Sequence, residues 1–392
     1  MKPAGMVKRA MTSLFVAFYR AYPPDSGAAA VSYYTAKYFP GEKTFKFIDK
    51  TSYELQLDGQ LKVATFACST KSPIRKAWGI FRSLPYLVRT IRIMKPTWIF
   101  LEGASWTGYF VPLMFLLRMY KIPSRIIYHA HNVEVILRKE KNDSLLAWIT
   151  GFTEKYVVRH SQIVTAVSDV DIRNFQSLYG ISPFPLPNGV DLQQYRVSRS
   201  ETGKIKRKYG LGGELILFMG LPEYKPNKEA IHFLLEEVFP KLLRIRPKVK
   251  LALIGGKIGK SYPWLINPGS IPFSEVAAFI LNCTVCVAPI FSGSGTRLKI
   301  LEYMAARKPV VATAKGAEGL RVENSRSILL AESAVDFSSQ IMTLLRDTPL
   351  RTRLGEQGYR VVKAFYSWPN ILQQFSQKLP PIAHKNRGQR TG

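Results

Sequence analysis

The chain has 392 residues, 46% of them hydrophobic, which supplies apolar material for two domains and excludes a disordered protein. Lysine and arginine number 56 against 27 acids, and the formal charge of +29 calls for anionic partners: nucleic acid, phosphorylated metabolites or an anionic membrane surface. Three cysteines are too few for a disulfide framework and fit a reducing compartment.

The first residues set Lys and Arg ahead of a short apolar run, as a signal peptide does. The run breaks at Arg20 and reads as a first buried strand, Leu14–Phe18. Further apolar runs follow at Thr44–Ile48, Val63–Phe66, Trp98–Leu101, Arg125–His129 and Ile163–Val167, with helical periods between most of them. From Ile74 to Arg92 the period predicts an amphipathic helix, broken or kinked near Pro85. Arg75, Trp78, Arg82, Arg89 and Arg92 share one face, and Ile74, Ala77, Phe81, Leu84, Val88 and Ile91 the next. Such a helix either lies on an anionic bilayer or packs on its sheet with a solvated basic side. The segment from Lys71 to Arg125 holds ten basic residues and one acid, Glu102. Within it, Gly103 to Tyr120 is nearly uncharged, but Pro112 and Arg118 favour a buried helix over a membrane span.

A charged stretch from Arg196 to Gly213 reads as a linker with a lysine-rich surface helix. Strands are then expected at Leu215–Met219, Val249–Ile254, Thr284–Ala288, Pro309–Ala312 and Ser327–Leu330. Helices are expected at Asn227–Ile245, Ser274–Leu281, Thr296–Ala306, Ala334–Leu345 and Thr352–Phe365. The alternation predicts an α/β chain of two doubly wound, Rossmann-like domains facing an interdomain cleft. Residues 1–198 form the first domain and 199–365 the second. Residues 366–380 form a helix packing back on the first, and 381–392 form a basic tail.

In open parallel sheets, ligands gather beyond the carboxyl ends of the strands, so chemistry belongs in strand-to-helix loops. The stretch FSGSGTRLKILE, from Phe291 to Glu302, fills such a loop. Gly293, Ser294, Gly295 and Thr296 let backbone N–H groups approach an anion at a helix start. Arg297 brings a fork for two phosphate oxygens and Lys299 a compact charge. Glu302, about one turn on, suits ribose hydroxyls. The plain alternative is a turn followed by a solvated helix face. Asp25-Ser26-Gly27-Ala28 precedes another helix, whose N–H groups at Gly27 and Ala28 suit a phosphate.

His131 follows a buried strand, with Asn132 and Glu134 beyond it. His129 is expected to point to the opposite side as a structural residue, and Glu134 either orients His131 or an acceptor, or lies exposed on its helix. Asn188-Gly189 reads as a tight turn with positive φ, Asp191 as a cap, and Ser168 as a helix cap. Cys283 and Cys286 read as buried core. No metal cluster of Asp-x-Asp type with supporting ligands is present, so neither metal nor other cofactor is expected.

The Phe291–Glu302 segment resembles the nucleotide-sugar signature of the group 1 glycosyltransferases (glycosyltransferase family 4), which have the GT-B fold. Tyr22–Ala36, Tyr128–Glu134, Thr165–Phe175, Leu186–Tyr195 and Phe218–Pro240 resemble further segments of that family, in the same order. The resemblance implies transfer of a sugar, with retention, from a nucleotide diphosphate sugar to a hydroxyl acceptor. It gives His131 a place beside the donor sugar and the Gly27 loop one beside the diphosphate. It places Ile271, in Ile271-Pro272-Phe273, by the nucleobase. Two departures stand out. Ser294 occupies a position where many members have a glutamate. Gly220 is followed by Leu221, not arginine, which leaves Lys225 or Lys228 as the loop's phosphate contact. Resemblance and charge together imply a lipid-linked or polysaccharide acceptor at the cytoplasmic face of the cell membrane. A nucleotide-sugar epimerase of the same fold is the enzymatic alternative. A nucleic-acid-binding protein is disfavoured, since no such module is present.

Overall fold

The computed structural model describes residues 11–57, 61–68, 72–103, 105–140, 143–293 and 298–380. Two sheets organise them. The first contains β1 (Thr12–Ala17), β2 (Glu42–Asp49), β3 (Glu54–Leu57), β4 (Leu61–Ala67), β5 (Trp98–Glu102), β6 (Arg125–Ala130), β7 (Ile163–Ala166) and β8 (Phe184–Pro185). Their order is β3-β4-β2-β1-β5-β6-β7-β8, all neighbours parallel except the β3–β4 hairpin. The second contains β9 (Leu215–Met219), β10 (Lys250–Ile254), β11 (Leu265–Gly269), β12 (Val285–Ala288), β13 (Val310–Ala312) and β14 (Leu329–Leu330), in the order β11-β10-β9-β12-β13-β14.

Central strands such as β1, β5, β9 and β12 are nearly continuous apolar runs because helices cover both sheet faces. In the first domain these are α1 (Gly27–Tyr38), α2 (Pro73–Met94), α3 (Phe110–Met119), α4 (Glu134–Glu140), α5 (Ser144–His160) and α6 (Asp169–Tyr179). The second has α7 (Arg199–Tyr209), α8 (Lys225–His232), α9 (Phe239–Ile245), α10 (Phe273–Leu281), α11 (Leu298–Ala305), α12 (Ala334–Arg346) and α13 (Thr348–Phe365). A final helix, α14 (Trp368–Gln377), buries Trp368, Leu372 and Phe375 in the first domain's core. There the Trp368 ring stacks on Tyr34 of α1 at 6.4 Å.

Several expectations need correction. The run Asn227–Ile245 is three pieces: α8, a π-helical turn at Phe233–Val238, and α9. Pro240 lacks the N–H that a continuous α-helix would require there, and the wider turn absorbs the mismatch. Helix α2 runs through Pro85 without a break, and Ile74 and Phe81 are exposed; Ile80, Leu84, Leu87, Val88 and Ile91 face the core instead. Gly189 lacks positive φ; a Cβ there would lie 2.9 Å from Trp368 and Ile371, so its role is close packing. Among the described residues, no helix is long and apolar enough to cross a membrane. The expected basic tail lies outside them.

Candidate active site

Three strand ends build one buried cluster in the first domain. Glu102 is the last residue of β5, and His129 and His131 stand at the end of β6. Glu102 Oε2 lies 3.1 Å from His129 Nδ1 and 3.0 Å from His131 Nε2, and it accepts a 2.6 Å hydrogen bond from Ser32 Oγ of α1. Tyr19, just beyond β1, bonds to the same Ser32 hydroxyl. Burial alone would raise the Glu102 carboxyl, but the two imidazoles beside it overcome that and hold it at about 2. His131 is shifted the other way, below the ordinary histidine value, chiefly because it is buried.

His129 therefore does not point away from His131. Residues two apart on a strand share a face, and both rings converge on one carboxylate. With Glu102 ionised, Nε2 of His131 carries the proton, and Nδ1 is left as a buried acceptor without a partner among the described residues. The three donor atoms lie within 4.8 Å of one another, a spacing that could also take a divalent ion.

Asn132 is partly exposed. Glu134 is buried, which corrects the exposed alternative, and it opens α4. Its N–H and that of Val135 donate to Glu154 of α5, which also accepts from the Tyr179 hydroxyl. Glu154 thereby caps α4 from outside its own segment.

The loop between β1 and α1 meets the second domain directly. Ser26 caps α1 by accepting from the Ala29 N–H, which leaves Gly27 and Ala28 at the helix start. A Cβ on Gly27 would lie 3.2 Å from Leu298 Cδ1. Leu298 opens α11, so the N-termini of two helices, one from each lobe, abut across the interface.

In the second domain, Gly293 has φ +85, a conformation that glycine adopts without strain. Ser294, Gly295, Thr296 and Arg297 lie outside the described residues. Lys299 donates a 2.8 Å hydrogen bond to Asn227 Oδ1 of α8 and sits 4.2 Å from the Phe218 ring centroid. Asn227 in turn donates to the Leu221 carbonyl, and a Cβ at Gly220 would strike its amide at 2.5 Å. The loops after β9 and β12 are thus joined by Lys299 and Asn227. A second link pairs Ser292 Oγ with Glu229, which lies 3.9 Å from Lys225 Nζ. Both Lys225 and Lys228 are exposed.

Glu302 is partly buried, and that burial pushes its carboxyl up to about 7, with Lys299 pulling the other way. Tyr34 of the first domain feels its charge, as does Tyr195. Tyr303 fixes α11 to β9, its hydroxyl accepting from the Met219 N–H. Ile271 packs partly buried on the second domain's core, while Phe273, two residues on, packs against the core of the first.

Residues 213–347 match the family model described as "Glycosyl transferases group 1". The match runs through the second domain, from ahead of β9 to the end of α12. A phosphatidyl-myo-inositol mannosyltransferase of Mycobacterium leprae is 24% identical over 236 residues, 57% of this chain and 61% of that relative. The chain spans under two thirds of the length of the curated relatives it matches. Sucrose-phosphate synthase from Thermosynechococcus elongatus superposes with a TM-score of 0.72 at 14% identity, over 94% of this chain and 98% of that one. Anabaena HepE in complex with UDP and glucose does so at 0.70 and 16%, with the same coverage. At such identities the likeness establishes the fold: two parallel-sheet domains in the GT-B arrangement.

Within this GT-B frame, the structure brings Gly27 of the first domain to α11 of the second, which carries Lys299 and Glu302. Sequence reasoning missed Glu102, Ser32, Asn227 and Glu154. Glu102 carried a usable signal, since it ends a buried strand and is the lone acid in a basic segment.

Proposed function

We propose that the protein transfers a sugar, with retention, from a nucleotide diphosphate sugar to a hydroxyl acceptor. The observation that carries this reading is the meeting of α1 and α11 at Gly27 and Leu298. The first turns of α1 and α11 meet there, and the positive ends of two helices suit the departure of a diphosphate. In the transfer, the bond between the anomeric carbon and the diphosphate oxygen breaks, and the electron pair leaves with the diphosphate. The acceptor oxygen forms the new bond and its proton passes to the departing phosphate. Lys299 and, by resemblance, Arg297 neutralise the developing charge, Glu302 accepts hydrogen bonds from the ribose, and His131 receives a sugar hydroxyl at Nδ1. The resemblance supports a reaction without metal, in which helix ends and cationic side chains carry the diphosphate charge; added chelator should then leave turnover unchanged. Complexes of the fold neighbour with UDP and glucose support a nucleotide-sugar donor.

The acceptor is a lipid-linked or polysaccharide hydroxyl at the inner membrane face. The name of the mycobacterial relative, a phosphatidylinositol mannosyltransferase, and the basic α2 with Trp78 exposed support it. The test is release of nucleoside diphosphate from a panel of nucleotide sugars, with and without candidate acceptors. Release that depends on acceptor supports transfer. Turnover of donor alone to an isomeric sugar would instead identify an epimerase.

A further inference from the structure

Away from the donor loops, α2 and the β2–β4–β3 edge of the first sheet form an open cavity of about 930 Å³. Lys46 of β2 lines it and is only 5% exposed. Its ammonium sits 5.4 Å from the Phe66 ring centroid and 5.2 Å from that of Tyr86, and among the described residues it makes no hydrogen bond or ion pair. Lys43, on the same strand and as deeply buried, donates to the Lys37 carbonyl at 2.9 Å. Glu54 attracts this ammonium without pairing with it, and neither that charge nor the two ring faces offset the burial. Burial holds the Lys46 ammonium below the ordinary lysine value. Among the described residues, Arg75 and Arg82 line the same cavity without ion pairs, and the one acid of its lining, Glu54, is engaged by Lys62 at 2.9 Å.

The cavity is therefore short of negative charge and walled by rings. Its lip is apolar as well: Ile74 and Trp78 line it while standing 82% and 66% exposed on α2. We propose that this cavity binds an anionic amphiphile, Lys46 holding its phosphate, Arg75 and Arg82 closing over it, and Trp78 and Ile74 taking the chain. The site shares no residue with the donor loops; α2 and Trp78 also support the membrane-face acceptor above, but the binding test needs neither donor nor turnover and so fails separately from that reading.

Calorimetric titration of the full chain with a water-soluble short-chain phosphatidic acid, and separately with inorganic phosphate, tests this. Lys46→Met keeps length and packing while removing the charge, and Lys206→Met on exposed α7 controls for the protein's general basicity. Saturable one-to-one binding of the lipid, weakened roughly ten- to a hundredfold by Lys46→Met and little by Lys206→Met, is expected for loss of a charge-assisted contact. A buried lysine contributes little to diffuse attraction, so equal effects of the two substitutions would overturn the proposal. Inorganic phosphate binding as tightly as the lipid would overturn the amphiphile assignment. Should Lys46→Met fail to fold, Arg82→Gln is read against the same control, with the same outcomes.

Discussion

His131 Nε2 lies 3.0 Å from a carboxylate oxygen of Glu102 that His129 and Ser32 also engage. One buried anion thus sets the tautomer of the histidine assigned to the donor sugar. Removing that anion should act through His131 and not through nucleotide binding. Glu102→Gln should lower turnover about tenfold, the scale of one hydrogen bond to the donor sugar lost when His131 changes tautomer, while leaving nucleotide affinity within about twofold. Steady-state kinetics with a binding titration separate the two. An equal loss in both would place Glu102 in the donor pocket itself.

The same carboxylate predicts acid sensitivity. Its folded value of about 2 lies below the ordinary 4.5, so the stability it contributes is present above pH 4.5 and is lost as pH falls toward 2. Glu102→Ala leaves Ser32 and two imidazoles without their shared acceptor in the core and should cost about 1–3 kcal/mol at neutral pH. Urea melts across that pH range check both: the difference between wild type and variant should shrink as pH falls.

The alternating strands and helices were legible because buried parallel strands are short apolar runs between helical periods. What escaped lay where that signal fails. The β3 edge carries Glu54 and is exposed, and β11 contains Asn267 and Pro268, which read as a turn. Strand β5 was expected to stop at Leu101, one residue before the acid that organises the site. Asn227 lay in a segment matched to the family, yet nothing in one sequence pairs it with Lys299, 72 positions away.

Gly27 tests the contact between lobes. An alanine there needs a few tenths of an ångström from Leu298, whereas Gly27→Val drives a branched side chain into α11. The valine variant should weaken donor binding by about 1–3 kcal/mol, the usual penalty for overpacking. Adding Leu298→Ala should recover most of that loss. A double variant no better than the single one would mean that Gly27 acts through its backbone alone.

Lys299 is held by Asn227, so its charge is aimed before any ligand arrives. Lys299→Met should weaken nucleoside diphosphate binding about ten- to a hundredfold, as loss of a charge-assisted contact does. Asn227→Ala leaves the charge but frees the side chain, and should cost less. Titration of both variants with the diphosphate released in the donor assay checks the order; an Asn227→Ala loss equal to that of Lys299→Met would assign Asn227 its own ligand contact.

Glu302 gives the site a pH dependence of opposite sign to that of Glu102. Its folded value of about 7 is above the ordinary 4.5, so its contribution to stability is full below pH 4.5 and lost as pH rises through 7. Ribose binding runs the other way, since only the ionised carboxyl accepts two hydroxyl hydrogen bonds at once. Donor affinity should therefore strengthen as pH rises through about 7, while the ligand-free protein loses stability over the same interval. Glu302→Gln should flatten both curves. Thermal melts with and without nucleotide, across that interval, measure the two together. A wild-type affinity that stays level through pH 7 would remove Glu302 from the ribose, whatever the melts show.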